Sequence, residues 1–567
     1  MVTRLHISRN KNSSNCESHE IGKLKLHFAS KAYASWSKRD STFVKGCVFL
    51  NDEMYQSTKL WKLMAAQNSL PDFVSQLQRI NGFFSVVRAI ENSIFLAVDR
   101  VRSLPLFYGI RDANVFASDD ARWIQQQLQD QEIDQDSVAE FLLTRCVSGC
   151  DTLFRSVKQV PAGGIVTISS TPEGAHSELT RYFEFGHSKL SSEPLQKLFA
   201  QADACLMSVF KRLISFASGR TIVVPLSGGL DSRLIILMLR RIGYDNAVAF
   251  AYGRKEHRES RTSKKMARKM GFTWEFVEYS NSLWRRSYES PEWQAYSAFA
   301  DGLSSTPHLQ DWPAVWELKR EGRIPDESIF VPGLIPATTH SIHKSQDQWL
   351  TMPVVSADQV AEEICDRYFT LQDWSACHEI LQPAMCGKIK RVLQLPPTMH
   401  PEQAFEAFGN WWLNTVFSNF LVNSVRAYEF WGYEWWLPLC DAEAIQFWST
   451  LPLHLQLEKR FELPYVRRLE KVTTGKAPEW NTSDPSLAPI LIRILNMLHL
   501  RDLARRVHAR SEYDRHHFRW YGLLSKRDYM RSFHGKETIN TYIANQTLRK
   551  ISPNYAIPEG LDFLKRD

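Results

Sequence analysis

The stretch Thr221-Ile222-Val223-Val224-Pro225-Leu226-Ser227-Gly228-Gly229-Leu230-Asp231-Ser232 has the residue types to hold an anion. An apolar run of strand formers meets a Ser-Gly-Gly turn, and Leu234-Ile235-Ile236-Leu237-Met238-Leu239 follows. The pattern predicts a buried strand, a tight turn and a helix that begins near Ser232. A glycine-rich turn at a helix N-terminus presents unpaired N–H groups and the positive end of the helix dipole. Phosphate is the usual anion at such a place. Paired glycines admit close approach of a ligand and backbone angles that other residues resist. No Gly-Lys-Ser/Thr follows, which excludes a Walker A loop. The Ser232 hydroxyl can reach a phosphate oxygen. Asp231 is a candidate catalytic residue, as a Mg²⁺ ligand or an organiser of the turn, with a helix cap as the plain alternative.

The elements that would position this loop are legible around it. Strand-like Asn246 to Tyr252 follows the first helix, then a charged helix from Glu259 to Met270, then a strand from Trp274 to Tyr279. Strands alternating with helices predict a parallel sheet covered on both faces. Ligands of such sheets bind beyond the strand C-termini, where Ser227 and Ala251 both fall. Upstream, residues 22 to about 120 read as β-rich. Phe83-Phe84-Ser85-Val86-Val87 and Ile94-Phe95-Leu96-Ala97-Val98 form a hairpin pattern split by Glu91-Asn92-Ser93.

A chain of 567 residues exceeds what one core supports, so two or more domains are expected. A net charge of +7 is small for this length and argues against nucleic acid as a partner. Apolar runs fall short of the ~20 residues that span a bilayer. The run Ile490 to Leu500 is interrupted by Arg493, Asn496 and His499. Nine cysteines and no signal-like N-terminus point to a reducing, cytoplasmic setting.

Ser-Gly-Gly-Leu-Asp-Ser resembles the pyrophosphate loop of ATP pyrophosphatases. Ile80-Asn81-Gly82-Phe83-Phe84, Asp99-Arg100-Val101-Arg102-Ser103-Leu104-Pro105-Leu106 and Val115-Phe116-Ala117-Ser118-Asp119 resemble, in order, pieces of the glutaminase domain of asparagine synthetases. There Asn-Gly, Asp-Arg-x-Gly-x-x-Pro-Leu and Ala-Ser-Glu recur. Thr152 to Gly163 is similar to that family's linker. Gly432-Tyr433-Glu434-Trp435-Trp436-Leu437-Pro438-Leu439-Cys440-Asp441 is similar to its Gly-x-Glu-x-Arg-x-Pro-Phe-Leu-Asp segment, with Trp436 in place of arginine. The resemblance implies an N-terminal Ntn-hydrolase-like, β-rich sandwich over 1–165 and a linker over 166–195. It also implies an α/β ATP-pyrophosphatase domain with a parallel sheet over 196–480, leaving a helical extension over 481–567.

It further implies ATP and Mg²⁺ as cofactors. Leu226, Ser227, Gly228, Gly229, Leu230, Asp231, Ser232 and Ala251 would bind the nucleotide, with Gly333 of the Val331-Pro332-Gly333 turn beside them. Glu434 and a C-terminal lysine would be catalytic; Lys471 is taken for that role, with Lys459 and Lys476 as alternatives. The expected reaction adenylates a carboxylate, releases pyrophosphate and transfers ammonia or an amine. Aspartate is the family's default acceptor, and Val-Pro-Gly is shared with relatives from surface-polysaccharide gene clusters, which suggests a sugar uronic acid.

Two departures bear on this. Val2 stands where the family's glutaminase has its nucleophilic cysteine, and Phe83 follows Asn-Gly where an acidic residue helps hold glutamine. Glutaminase activity is therefore expected to be absent, with ammonia from solution, from a separate glutaminase or replaced by a substrate amine. The acidic turn that normally follows Gly333 is missing as well, with His340 as a substitute. A nucleotide-binding pseudoenzyme or partner-binding protein is the alternative. A tRNA-modifying or sulfur-transfer role is disfavoured by the glutaminase-like pieces. A homodimer is an open expectation. Arg501, Arg505, Arg506, Arg510, Arg515 and Arg519, with His516 and His517, suggest a helix that is either solvated or docks an anion.

Overall fold

A computed structural model describes residues 16–21, 24–29, 35–112, 114–171, 174–186, 190–336, 344–456, 459–476, 513, 516–532 and 538–553. His340, the Ile490–Leu500 run, and Arg501, Arg505, Arg506, Arg510 and Arg515 lie outside the described residues.

Two sheets form the N-terminal part. One orders the strands Cys16–Ile21, Leu24–Ala29, Asn114–Ser118, Phe107–Arg111 and Lys158–Gln159. The other orders Gly174–Arg181, Gly164–Thr171, Ser93–Val98, Asn81–Ile90, Thr42–Leu50 and Ser37–Arg39, with Glu53–Gln56 added on Thr42–Leu50. Successive side chains of a strand point to opposite faces. Phe43, Val87 and Leu96 thus meet Leu26, Leu106 and Val115 between the sheets. Their neighbours Val44, Val86 and Phe95 pack on the other face against Leu60, Met64, Phe73 and Leu77, from the helices Ser57–Ala65 and Leu70–Arg79. Helix Ala121–Leu128 covers the outer face of the first sheet through Ile124 and Leu128. The result is a helix–sheet–sheet–helix sandwich. The predicted hairpin is present as Asn81–Ile90 paired antiparallel with Ser93–Val98, and Glu91 takes a left-handed φ of +51° in the turn.

The second part is built on a parallel sheet, ordered Thr273–Glu278, Ala247–Gly253, Ile222–Pro225, Ile329–Phe330, Glu434–Trp435. The predicted strands and helices around the loop are recovered within one or two residues, including Arg258–Met270. Chain order runs outward one way from Ile222–Pro225, then the other, so the strand order reverses between it and Ile329–Phe330. Such a reversal opens a crevice at the strand C-termini. Ser227 follows one of these two strands and Gly333 the other. Helix Asp231–Ile242 buries Leu234 to Leu239 and packs against Leu195–Ala217, Arg258–Met270 and Glu462–Thr474.

A buried clamp joins the two parts. Arg212 donates from Nε and Nη2 to the two carboxylate oxygens of Asp441, each at 2.8 Å. Asn81 Nδ2 donates to Asp441 Oδ1 at 2.8 Å, and its own Oδ1 accepts from Ala442 N at 2.8 Å. Phe83 lies with Trp435 and Trp436, both fully buried, and Phe216 stacks on Trp436 at 4.5 Å. These aromatics of the second signature are core.

Candidate functional site

The loop after Ile222–Pro225 closes on its own hydroxyls. Ser227 N donates to Ser232 Oγ at 3.2 Å, Gly229 N donates to Ser227 Oγ at 3.1 Å, and the two hydroxyls are 3.1 Å apart. Helix Asp231–Ile242 starts at Leu230 with no side-chain cap. Its first-turn N–H groups therefore remain for a ligand. Ser227 and Gly229 are exposed. Neither Gly228 nor Gly229 has a left-handed φ. The glycines serve here by leaving space, since a Cβ on Gly228 would lie 3.2 Å from Glu259 Cγ and one on Gly229 3.2 Å from Ser227 Oγ. Gly333 is tighter still, 2.6 Å from Ser232 N by the same construction. The Val331-Pro332-Gly333 turn thus lies against the loop.

Leu226 and Ala251 come together. Leu226 N donates to Phe250 O at 2.8 Å, and both residues line one small pocket of about 40 Å³ with Tyr252, Ser260 and Gln310. The turn His517–Phe518 lines it as well, with Glu259. That turn is tied down at several points: Arg254 N donates to His517 O at 3.1 Å, and Trp284 Nε1 to Phe518 O at 2.6 Å. His517 also stacks on His257 at 3.7 Å. The neighbouring His516 stacks on Trp520 at 4.6 Å. Burial, then His517 and His257, pull the His516 imidazole down to about 4. It is neutral near pH 7.

Asp231 has a partner that sequence reading missed. Glu462, at the start of Glu462–Thr474, is 2 % exposed. Its carboxyl is held well above the usual carboxylate range by burial and by the facing Asp231. Asp231 Oδ1 and both Glu462 oxygens are buried without a hydrogen-bond partner. Lys459 Nζ is 3.8 Å from Glu462 Oε2. A buried carboxyl facing a partly buried one, with unused oxygens on both at a glycine-rich loop, suits a hard divalent cation, which takes oxygen ligands. Nothing in the run Lys459-Arg460-Phe461-Glu462 marks Glu462 out, because the signal is its burial against another element.

Two predicted catalytic residues are not brought to the loop. Glu434 pairs in register with Ile329, which pairs with Ile222. It is thus level with the start of the strand whose far end carries Ser227, roughly 16 Å away at ordinary strand rise. There Arg220 Nη1 donates to Glu434 Oε2 at 2.7 Å. Lys471 is exposed. Nine residues beyond Glu462, it faces the opposite side of the helix at about 100° per residue. Lys476 is exposed too, which leaves Lys459 as the lysine near the carboxyl pair.

Comparison with known proteins agrees with this architecture. A glutamine amidotransferase domain family matches residues 71–183, and the queuosine biosynthesis protein QueC family matches residues 221–288. No curated protein matches the chain. Among solved structures, a Bacillus subtilis glutamine phosphoribosylpyrophosphate amidotransferase complexed with ADP and GMP is 12% identical over 48% of this chain and 75% of its own, with a TM-score of 0.18. An NH3-dependent NAD synthetase from Campylobacter jejuni, in complex with nitrate, is 11% identical over 38% of this chain and 94% of its own, with a TM-score of 0.19. Similarity at that level carries no argument about activity. The two matched domains give an Ntn-hydrolase-like amidotransferase domain followed by an ATP-pyrophosphatase domain on a parallel sheet. That order fits an asparagine-synthetase-like architecture, implies use of ATP and supports an ATP-dependent amidotransferase- or ligase-type activity. Among the described residues no helix is long and apolar enough to cross a membrane.

Proposed function

We propose that the protein is an AMP-forming amide ligase. The observation that carries this reading is the uncapped helix start that follows the Ser227–Leu230 loop, beside Asp231 and the buried Glu462. A substrate carboxylate oxygen attacks the α-phosphorus of ATP, the bond to the β-phosphate oxygen breaks, and pyrophosphate leaves. The N–H groups around Ser227 to Leu230 and the Ser232 hydroxyl hold the departing charge, a preorganised arrangement that needs no rearrangement during reaction. Asp231 and Glu462 would hold Mg²⁺, which when bound neutralises phosphate charge. Leu226 and Ala251 flank the adenosine, and Gly333 keeps its turn clear of the helix start. Ammonia or an amine then attacks the acyl carbon, loses a proton and displaces AMP. Lys459 is the lysine assigned to charge on this path.

The acceptor belongs to the carboxylate class, with aspartate and sugar uronic acids as the first candidates. No glutaminase step is assigned, in keeping with Asn81 and Phe83 being committed to the contact between the two parts. Domain limits near residues 165, 195 and 480 belong to the same reading. The test is release of AMP and pyrophosphate from Mg²⁺-ATP with ammonium and each acceptor, using a Ser227→Ala, Asp231→Ala double variant as the blank. Acceptor-dependent release lost in the variant establishes the ligase. The small pocket beside His517–Phe518 favours a second reading, nucleotide binding without turnover, which binding with no release for any acceptor would select.

A further inference from the structure

The described cysteines are all free thiols, and burial makes most of them poor nucleophiles. It pushes the Cys47, Cys146 and Cys205 thiols up to about 12 and Cys150 to about 11. Cys365 and Cys386 differ. Their sulfurs are 3.8 Å apart, and among the described residues no other two cysteines make a sulfur–sulfur contact. Cys365 lies in helix Ala357–Tyr368 and Cys386 in helix His378–Leu393, which pack side by side. One turn on from Cys386, Lys390 Nζ ties the same two helices through an ion pair with Asp358 Oδ1 at 2.6 Å.

The two thiols are not equivalent. Cys365 is 1 % exposed and Cys386 7 %. The Cys365 thiol donates to the Cys386 sulfur and, with help from Lys390, holds Cys386 below the ordinary thiol value. The same hydrogen bond pushes the Cys365 thiol up. The thiolate is the reactive form, so Cys386 is the nucleophile of the pair. Its neighbour Gly387 leaves the adjoining surface open, since a Cβ there would meet only the end of Arg391, at 3.6 Å. Pro383 stands inside the helix one turn before Cys386 and removes a backbone hydrogen bond from it. That turn can therefore adjust while the sulfurs close from 3.8 Å to the ~2 Å of a disulfide.

We propose that Cys365 and Cys386 form a site of reversible oxidation by a small peroxide, with Cys386 attacking and Cys365 resolving. The Cys386 sulfur attacks one peroxide oxygen, the O–O bond breaks, and the other oxygen leaves as hydroxide, giving a sulfenic acid. The Cys365 sulfur then attacks the Cys386 sulfur, the S–O bond breaks, and water leaves with the Cys365 proton. Two thiols and one peroxide give one disulfide and two waters. The slight exposure of Cys386 suits an oxidant of that size. Two residues on, Lys388 Nζ is 2.8 Å from Glu140 Oε2 and donates to Ser137 Oγ at 2.9 Å, both in helix Gln135–Thr144. The cross-link thus fixes the helix that this buried contact holds against Gln135–Thr144.

Hydrogen peroxide added to the reduced full chain tests this, read by mass mapping of the cysteine peptides before and after dithiothreitol. The expected product is a cross-linked Cys365–Cys386 peptide. It should form in the folded chain before the other thiols are oxidised, reopen with dithiothreitol, and raise the melting temperature by a few degrees. Cys365→Ser should stop the reaction at a Cys386 sulfenic acid that dimedone traps, and Cys386→Ser should leave Cys365 unreactive. Absence of the cross-link, its formation only in urea, earlier oxidation of another cysteine, or a folded Cys365→Ser chain with no dimedone adduct on Cys386 each overturns the proposal. The mapping of the unsubstituted chain decides the matter if either variant fails to fold. No nucleotide takes part, so none of these outcomes touches the ligase reading.

Discussion

Gly333 and Ser232 follow different strands of the parallel sheet, yet a Cβ on Gly333 would fall 2.6 Å from the Ser232 backbone nitrogen. That nitrogen belongs to the helix start proposed to face the phosphates of ATP. Any side chain at 333 must therefore push on that helix start. Gly333→Ala should cost about 1–3 kcal/mol by overpacking. It should weaken ATP more than that stability loss explains, and nucleotide titration beside thermal melting separates the two effects.

Glu462 and Asp231 set a conflict between stability and binding. The raised Glu462 carboxyl keeps a proton in the folded chain that the unfolded chain releases. Stability is thus full at or below the ordinary carboxylate range and falls as pH rises above it. Glu462→Gln should flatten the denaturant midpoint between about pH 5 and 8. It should raise the midpoint at the upper end and abolish Mg²⁺-dependent ATP binding, a pattern typical of functional residues.

His516 titrates with the opposite consequence. Its folded value, near 4, lies below that of the unfolded chain, so the unfolded state binds the extra proton between the two. The stabilising contribution is present above about pH 6.5 and is lost as pH falls toward 4. Acidification should loosen the turn beside Trp520, seen as a shift in tryptophan emission that His516→Phe reduces.

The pocket at Leu226 and Ala251, about 40 Å³, is far smaller than the several hundred Å³ of usual ligand sites. With Leu226 and Ala251 as the proposed adenosine contacts, nucleotide entry is expected to displace the His517–Phe518 turn. Phe518→Ala should raise the ATP association rate several-fold with a smaller change in dissociation, read by stopped-flow fluorescence.

Asp441 serves the joint between the two parts. It accepts from Arg212 and Asn81 at 3 % side-chain exposure. Removing one member of a buried pair strands the other and costs about 3–5 kcal/mol. Asp441→Ala should lose that amount by urea denaturation, and nucleotide affinity measured well below the transition should hold.

The sequence by itself determined the strand, turn and helix around Ser227, because apolar periodicity and glycine act over a few residues. It also determined the βαβ spacing that brings Leu226 and Ala251 to one end of a sheet, and the hairpin at Glu91. The tertiary structure decided which charged residues meet. Glu462 faces Asp231 across hundreds of residues of chain, whereas Glu434, placed by motif, is drawn to Arg220 at the far edge of the sheet. Lys471 reads no differently from Lys459 in sequence, and only helix phase sends it to solvent. The pairing of Lys45 with Asp119 and Glu429, and the His517–Phe518 turn, follow the same rule. Local patterns report what a residue's neighbours in the chain require; the partner of a buried charge is set by packing between elements that the pattern leaves unordered.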